Sequence, residues 1–274
     1  MEAIRRHKVT VPYEFRKADI RPYPGDNTPD FEYWFSQNVE ETTDRVYLPI
    51  MWTSYYKAAD FGNNGKMIRR LQWFLNTLDK AKKYYTICQF DDGILNTLGH
   101  LDCKVFSMSG LPMDYPLPLL CKTHSFTAPV GLARDFFVNF VGKNTHPIRS
   151  EILNFRIKHW FIDDNHHKMD FYCRVLATSV FTLCPRGYGP ASFRVGESMQ
   201  YGSIPVYISD KFIIPHLVPF NRYGVLVRPE QIDKLPEILH SIDISEKQAA
   251  VREAYDQYYT FEANRLLIQE NARS

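Results

Sequence analysis

A chain of 274 residues, 45% hydrophobic and 23% charged, can bury the core of one large domain or of two of about 100–150 residues. That balance excludes an intrinsically disordered polypeptide. A net charge of +2 argues against the strongly basic face of a nucleic-acid binder. No apolar run reaches the roughly 18 residues of a membrane span, and Met1–Lys8 has no apolar signal core, so a soluble, cytoplasmic protein is expected.

The first 43 residues are polar and turn-rich, with Pro24-Gly25 and Asn27-Thr28-Pro29, and a helix is predicted around Asp30–Asn38. A strand is predicted over Arg45–Trp52. A helix follows over Lys66–Lys82, where Ile68, Leu71, Phe74, Leu75 and Leu78 recur at helical spacing. Tyr84–Phe90 reads as a buried strand running into Gln89-Phe90-Asp91-Asp92-Gly93, and Lys104–Met108 as another short strand. The proline-rich stretch from Asp114 to Ala133 lacks periodicity and is the expected crossover between domains 1–128 and 129–274. Phe136–Val141 then reads as a strand entering Gly142-Lys143-Asn144-Thr145. A helix over Ile148–Ile157, a loop over Ile162–His167 and a short helix near Tyr172–Ser179 come next. Tyr223–Val227 is a further strand, and helices over 229–241 and 245–269 end the chain, the last able to pack back on the first domain. Strands alternating with helices predict an α/β fold: two Rossmann-like, doubly wound domains facing a cleft.

The most specific chemistry lies in Phe181–Ile208. An apolar strand ends in Cys184-Pro185-Arg186-Gly187. A small-residue loop through Tyr188 and Ser192 opens a helix carrying Arg194 and Glu197, and the strand Ile204–Ile208 follows Gly202. Free N–H groups at such a loop and helix start suit a phosphate, Arg186 and Arg194 can add charge-assisted hydrogen bonds, and a carboxylate one turn on can accept from a sugar hydroxyl. Diphosphate plus ribose describes a nucleotide. The backbone of Gly187–Ser192 and the side chains of Tyr188 and Ser192 can donate to phosphate or base, with an N-cap role for Ser192 equally open. Lys143, beside Asn144 and Thr145, stands at another strand end where a loop can contact phosphate, against a surface role, and Arg149, in the first turn of the helix that follows, could reach the same diphosphate. The bland alternative for Arg186 or Arg194 is a structural pairing with Glu197.

Elsewhere, Asp91 and Asp92 end a strand of the first half and offer a general base, or one simply caps a turn. Trp52, Tyr55 and Tyr56 could form an acceptor-sugar platform, with core packing the competing role. Asp163-Asp164-Asn165-His166-His167 could bind a divalent ion but reads better as a solvated loop, so no metal site is expected. The five cysteines (Cys88, Cys103, Cys121, Cys173, Cys184), odd in number and without C-x-x-C, suit a reducing compartment.

The order CPRG, SFR, Glu197 and G-x-I-P-V closely resembles the C-terminal signature of exostosin-like glycosyltransferases, family 47. Asp44–Trp52, Asp114-Tyr115-Pro116-Leu117-Pro118 and Arg134–Gly142 with Arg149 downstream resemble further segments of that family, so the likeness runs from about Asp44 to about Val227. The short length is similar to soluble members from large algal DNA viruses. The resemblance implies a GT-B fold, with an acceptor domain and a nucleotide-sugar-binding domain. It also implies an inverting reaction without metal or other cofactor. A UDP-sugar would donate to a hydroxyl of an oligosaccharide or glycoprotein glycan, with Glu197 on the ribose and Arg194 and Arg186 on the diphosphate. UDP-xylose leads among the donors; glucuronate, galactose and arabinose stay open. Two other classes stay open: an inactive sugar-binding or partner subunit, and a metal-dependent hydrolase built on Asp163–His167.

Overall fold

The computed structural model describes residues 8–17, 30–39, 44–121, 123–129, 131–215 and 219–273. The turns expected at Pro24-Gly25 and Asn27–Pro29 lie outside them. The chain divides into two compact units: Met1–Leu117 with Phe261–Ser274, and Pro118–Thr260.

In the first unit, helices α1 (Tyr13–Arg16) and α2 (Phe31–Asn38) precede strand β1 (Val46–Tyr47), and helices α3 (Trp52–Ala58) and α4 (Gly65–Asn76) follow it. Strands β2 (Lys83–Cys88), β3 (Asp102–Ser107) and β4 (Tyr115–Pro116) complete a parallel sheet of order β1-β2-β3-β4. The strand expected over Arg45–Trp52 is cut to two residues. Pro49 has no N–H for the ladder, and Trp52 already opens α3. Arg45 anchors this short strand, donating to the Tyr84 carbonyl at 3.3 Å and to Asp102 Oδ1 at 2.6 Å. Helix α4 is capped by Asn64, which accepts from Met67 N, and buries Leu71, Phe74 and Leu75. It stops at Asn76, short of the expected Lys82, because Asp79 accepts from the Ala81 amide and builds a turn instead.

In the second unit, β5 (Phe136–Val141), α5 (Pro147–Ile152), β6 (Trp160–Asp163), α6 (Met169–Ala177), β7 (Ser179–Pro185), α7 (Arg194–Gln200), β8 (Ile204–Ile208), β9 (Val225–Val227), α8 (Leu235–His240) and α9 (Ile244–Tyr258) follow in order. The sheet is parallel throughout, ordered β6-β5-β7-β8-β9. Its core joins Val138 and Phe140 of β5, Phe181 and Leu183 of β7, and Val206 and Ile208 of β8. Such buried strands read as near-continuous apolar runs, which is why β5, β7 and β8 were visible in the sequence. Helix α5 ends at Ile152, five residues before the expected Ile157. Residues Trp160–Asp163, partly placed in an expected loop, form strand β6 instead. β6 is half-buried at the sheet edge, so its apolar pattern is too short to stand out.

The helix expected over 245–269 is two helices, α9 and α10 (Phe261–Asn271), parted at Tyr259-Thr260. Helix α10 belongs to the first unit, where Phe261 packs on Phe31 and Trp34 and the Lys104 ammonium donates to the Asn271 carbonyl at 2.9 Å. Among the described residues no helix is long and apolar enough to cross a membrane.

Candidate functional site

In the second unit the chain runs from β5 outward to β6 and then crosses back to β7. The reversal lies between β5 and β7, where parallel sheets bind ligands at the carboxyl ends of their strands. Two loops stand there, Gly142–His146 leading to α5 and Arg186–Phe193 leading to α7. Every nucleotide-binding candidate of the second unit comes from these loops or the helix starts behind them; the Asp163–His167 cluster stands at the end of β6 instead.

Three arginines organise the two loops. Arg149, buried in α5, donates from Nε to the Arg186 carbonyl (3.0 Å), from Nη1 to the Lys143 carbonyl (3.1 Å) and from Nη2 to the Pro185 carbonyl (3.4 Å). It therefore staples the β5 loop to the end of β7. A Cβ on Gly187 would come within 3.0 Å of its Nη2, so glycine lets the loop lie against the guanidinium. Arg194 donates from Nε (3.1 Å) and Nη2 (2.8 Å) to the Val141 carbonyl and lies 5.1 Å over the Phe140 ring. Arg186 pairs through Nη1 with Asp210, just past β8, and donates from Nη2 to the Tyr188 carbonyl at 2.8 Å. Arg186 thus holds a carboxylate oxygen, the nearest protein counterpart of a phosphate oxygen. The expected alternative, an arginine paired directly with Glu197, is not what forms. Lys143 is exposed on the β5 loop. His146 was not foreseen; its Nδ1 accepts from Ile148 N and caps α5. Burial, with the Arg186 and Arg149 charges, pushes its pKa down.

Glu197 is buried rather than exposed on the helix. Its Oε2 accepts from the Tyr172 hydroxyl at 2.7 Å, and its Oε1 faces His124 Nε2 at 3.8 Å, an ion-pair distance rather than a hydrogen bond. Burial works to raise this carboxyl, but His124, the Arg194 charge and Tyr172 outweigh it and hold it below its ordinary value. Neither Tyr172 nor His124 carries a sequence signal for this role, since both come from segments far from α7 in the chain. Ser192 is buried and its hydroxyl has no hydrogen-bond partner, while Phe193 takes the N-cap position of α7; the N-cap alternative for Ser192 does not form. Tyr188 projects from the loop, 72% exposed.

Two motif residues act as staples. Arg134 donates to the carbonyls of Ser179 (2.6 Å), Tyr201 (2.9 Å) and Leu176 (3.3 Å). Asp114 Oδ2 accepts from Val105 N at 2.7 Å and holds β3.

In the first unit Asp91 and Asp92 follow β2 at its carboxyl end. Asp91 is half-buried and accepts from Ser109 Oγ at 3.4 Å; Asp92 is exposed. The loop is seated by glycine on glycine: a Cβ on Gly110 would lie 2.1 Å from Gly93 N, and Gly93 has φ 77°. Glu32, in the first turn of α2, escaped the sequence reading because an acid there looks like a surface partner of the helix dipole. It is fully buried and accepts from Gln89 N at 2.7 Å and Thr53 Oγ1 at 2.8 Å; burial and the Asp30 charge push its pKa well up. Trp52, Tyr55 and Tyr56 are not a sugar platform. All three are buried in the first unit's core: Trp52 donates to Thr86 Oγ1, Tyr55 to the Met67 carbonyl and Tyr56 to Asn96, so their ring faces are used in packing.

Asp163 Oδ1 accepts from the amide and side chain of Asn165, and Oδ2 faces His167 Nε2 at 2.7 Å, while Asp164 and His166 point to solvent. Burial opposes, but these hydrogen bonds win and lower the Asp163 carboxyl. Among the described residues no three or more His, Cys, Asp or Glu side chains group so as to hold a metal ion.

The Exostosin GT47 domain family matches residues 106–242 of the chain, which is half its length. A probable glucuronosyltransferase of Oryza sativa subsp. japonica is 36% identical over 95 residues, covering 34% of this chain and 22% of that protein. The probable beta-1,4-xylosyltransferase IRX10 of Arabidopsis thaliana is 33% identical over 91 residues, 32% of this chain and 22% of its own length. The alignments thus span about a fifth of these relatives. Among solved structures, TarM aligns over 89% of this chain and 57% of its own, with a TM-score of 0.44 and 12% identity.

Proposed function

The chain belongs to the exostosin GT47 family, and on that premise we propose that it is a glycosyltransferase carrying a sugar from a UDP-sugar to a hydroxyl of a glycan acceptor. The observation that supports this reading most is that Lys143 and Arg186, on two loops at the β5/β7 reversal, and Arg194, at the start of α7, all stand at that end of the sheet, with Arg149 fastening one loop to the other. In the proposed reaction the acceptor oxygen attacks the anomeric carbon with inversion, and the bond from that carbon to the β-phosphate oxygen breaks. The electron pair stays on UDP, and the hydroxyl proton passes to Asp91 or Asp92. Arg186 exchanges Asp210 for the leaving diphosphate, and Arg194 adds a fixed positive charge beside it, which stabilises the departing oxygen without reorganisation. Glu197 accepts from the ribose hydroxyls, and Tyr188 and Ser192 line the nucleotide. No metal or other cofactor enters this scheme. Among donors we keep UDP-xylose, with UDP-glucuronate the competing reading, since the matches include relatives of both names.

A metal-dependent hydrolase on Asp163–His167 is the weaker reading, because Asp164 and His166 point to solvent and, among the described residues, no three His, Cys, Asp or Glu side chains group to hold an ion. Nucleotide release from a panel of UDP-, GDP- and CMP-sugars, with and without EDTA, tests the proposal. Release from one UDP-sugar, unchanged by EDTA, is expected. No release from any sugar, together with no thermal stabilisation by UDP, refutes the transferase and leaves a binding subunit. Release abolished by EDTA refutes the metal-free scheme.

A further inference from the structure

Glu32 is 0% exposed, and a carboxylate taken fully out of water is retained only where fixed donors replace the water. Its donors come from two places. The Gln89 amide, the first residue beyond β2, donates to Oε1 at 2.7 Å. Thr53 donates through its hydroxyl to Oε1 at 2.8 Å and through its amide to Oε2 at 3.1 Å. The stitch is reciprocal, because Gln89 Oε1 accepts from Phe31 N, the residue before Glu32, at 3.1 Å. Gln89 stands two residues ahead of Asp91. The far end of the same loop is clamped by different means: Gly93 N donates to the Phe90 carbonyl, Ile94 N to the Leu111 carbonyl, and Gly93 sits against Gly110. The loop carrying the two aspartates is thus held at one end by tight backbone packing and at the other by one buried carboxylate.

We infer that Glu32 is a positioning residue, fixing the Asp91-Asp92 loop against the start of α3 so that an aspartate is presented in one geometry. The inference rests on the reading of Asp91 or Asp92 as the acceptor base. Glu32 has no solvent-facing surface and touches no substrate; it acts through Gln89. A carboxylate suits this task better than an amide. It accepts from every donor around it, whereas a glutamine brings an N–H₂ group that finds donors where it needs acceptors. Had the residue served folding alone, an apolar side chain of similar volume would fill the space without the desolvation of a polar group.

The test is Glu32→Gln, read by steady-state kinetics, UDP affinity and amide exchange over residues 89–93. The expected result is a kcat for transfer about 10- to 100-fold lower, the range that follows from loss of near-attack geometry. Donor KM and UDP affinity should stay within about twofold, and exchange over 89–93 should accelerate. Thr53→Val, which deletes a single neutral donor, serves if Glu32→Gln does not fold; it should lower kcat by about 2- to 10-fold with the same unchanged KM. Lower melting temperature with kcat and 89–93 exchange as in the wild type overturns the inference. If the wild-type protein turns over no UDP-sugar, the transferase reading falls on its own. The exchange of residues 89–93 then still decides whether Glu32 fixes the loop.

Discussion

Gly142 sets the position of Arg194, and Gly142→Ala is therefore expected to act through a side chain 52 residues away in sequence. A Cβ on Gly142 would lie 2.0 Å from Arg194 Nη2 and 2.9 Å from its Cζ, while the Gly142 φ itself lies outside the left-handed region. The backbone can accept alanine; the guanidinium must move. In moving it gives up both hydrogen bonds to the Val141 carbonyl and its place 5.1 Å over Phe140. A charged donor pair contributes about 1.5–3 kcal/mol net, and a half-exposed cation–π contact about 0.5–1 kcal/mol. The two share one side chain, so a loss of about 2–4 kcal/mol is expected. Urea unfolding of Gly142→Ala, Arg194→Ala and the double variant measures it. If the clash is the cause, Gly142→Ala adds almost nothing once Arg194 is gone, so the coupling equals the whole loss of about 2–4 kcal/mol. Strict additivity, within about 0.5 kcal/mol, would refute the argument.

Arg149→Met should lower stability by about 2–4 kcal/mol, since it leaves the Lys143, Pro185 and Arg186 carbonyls without their donor. Arg149→Lys should recover only part of this, because an ammonium cannot reproduce the planar fork; unfolding of both variants, with UDP binding alongside, checks it. Glu197 has a lowered pKa, so its contribution is fully present above its unfolded value of 4.5 and fades as pH falls below that. The stability gap between wild type and Glu197→Gln should accordingly be constant near neutrality and shrink below pH 4.5; a gap that widens in acid contradicts the assignment. Thr182→Val removes the acceptor of Asn139 Nδ2 at 2.7 Å and a partner of Ser203 at 2.8 Å inside the second sheet, and should cost about 1–3 kcal/mol by calorimetry.

The strands β5, β7 and β8 were legible in the sequence because each is a near-continuous apolar, largely buried run, and the βαβ unit around Arg186–Glu197 followed from them. The same local rules failed where a partner distant in sequence decides the outcome. Strand β6 exists because β5 offers it an edge, and the break between α9 and α10 leaves Phe261 on Phe31 and Trp34 of the first unit. Trp52, Tyr55 and Tyr56 could be read equally as platform or core, and only the assembled helices α3 and α4 settle it for the core.

The residue types of the candidate site, arginines at strand ends with a glutamate one turn into a helix, were fixed by sequence alone, because spacing along a βαβ unit is local. What each charge faces was decided only by the tertiary structure. Arg149 turned to three carbonyls, Arg186 to Asp210, Glu197 to Tyr172 and His124, and Glu32 from an apparent surface acid into a buried clamp. A charge's partner depends on distance and burial in three dimensions, and neither quantity is written in the order of residues.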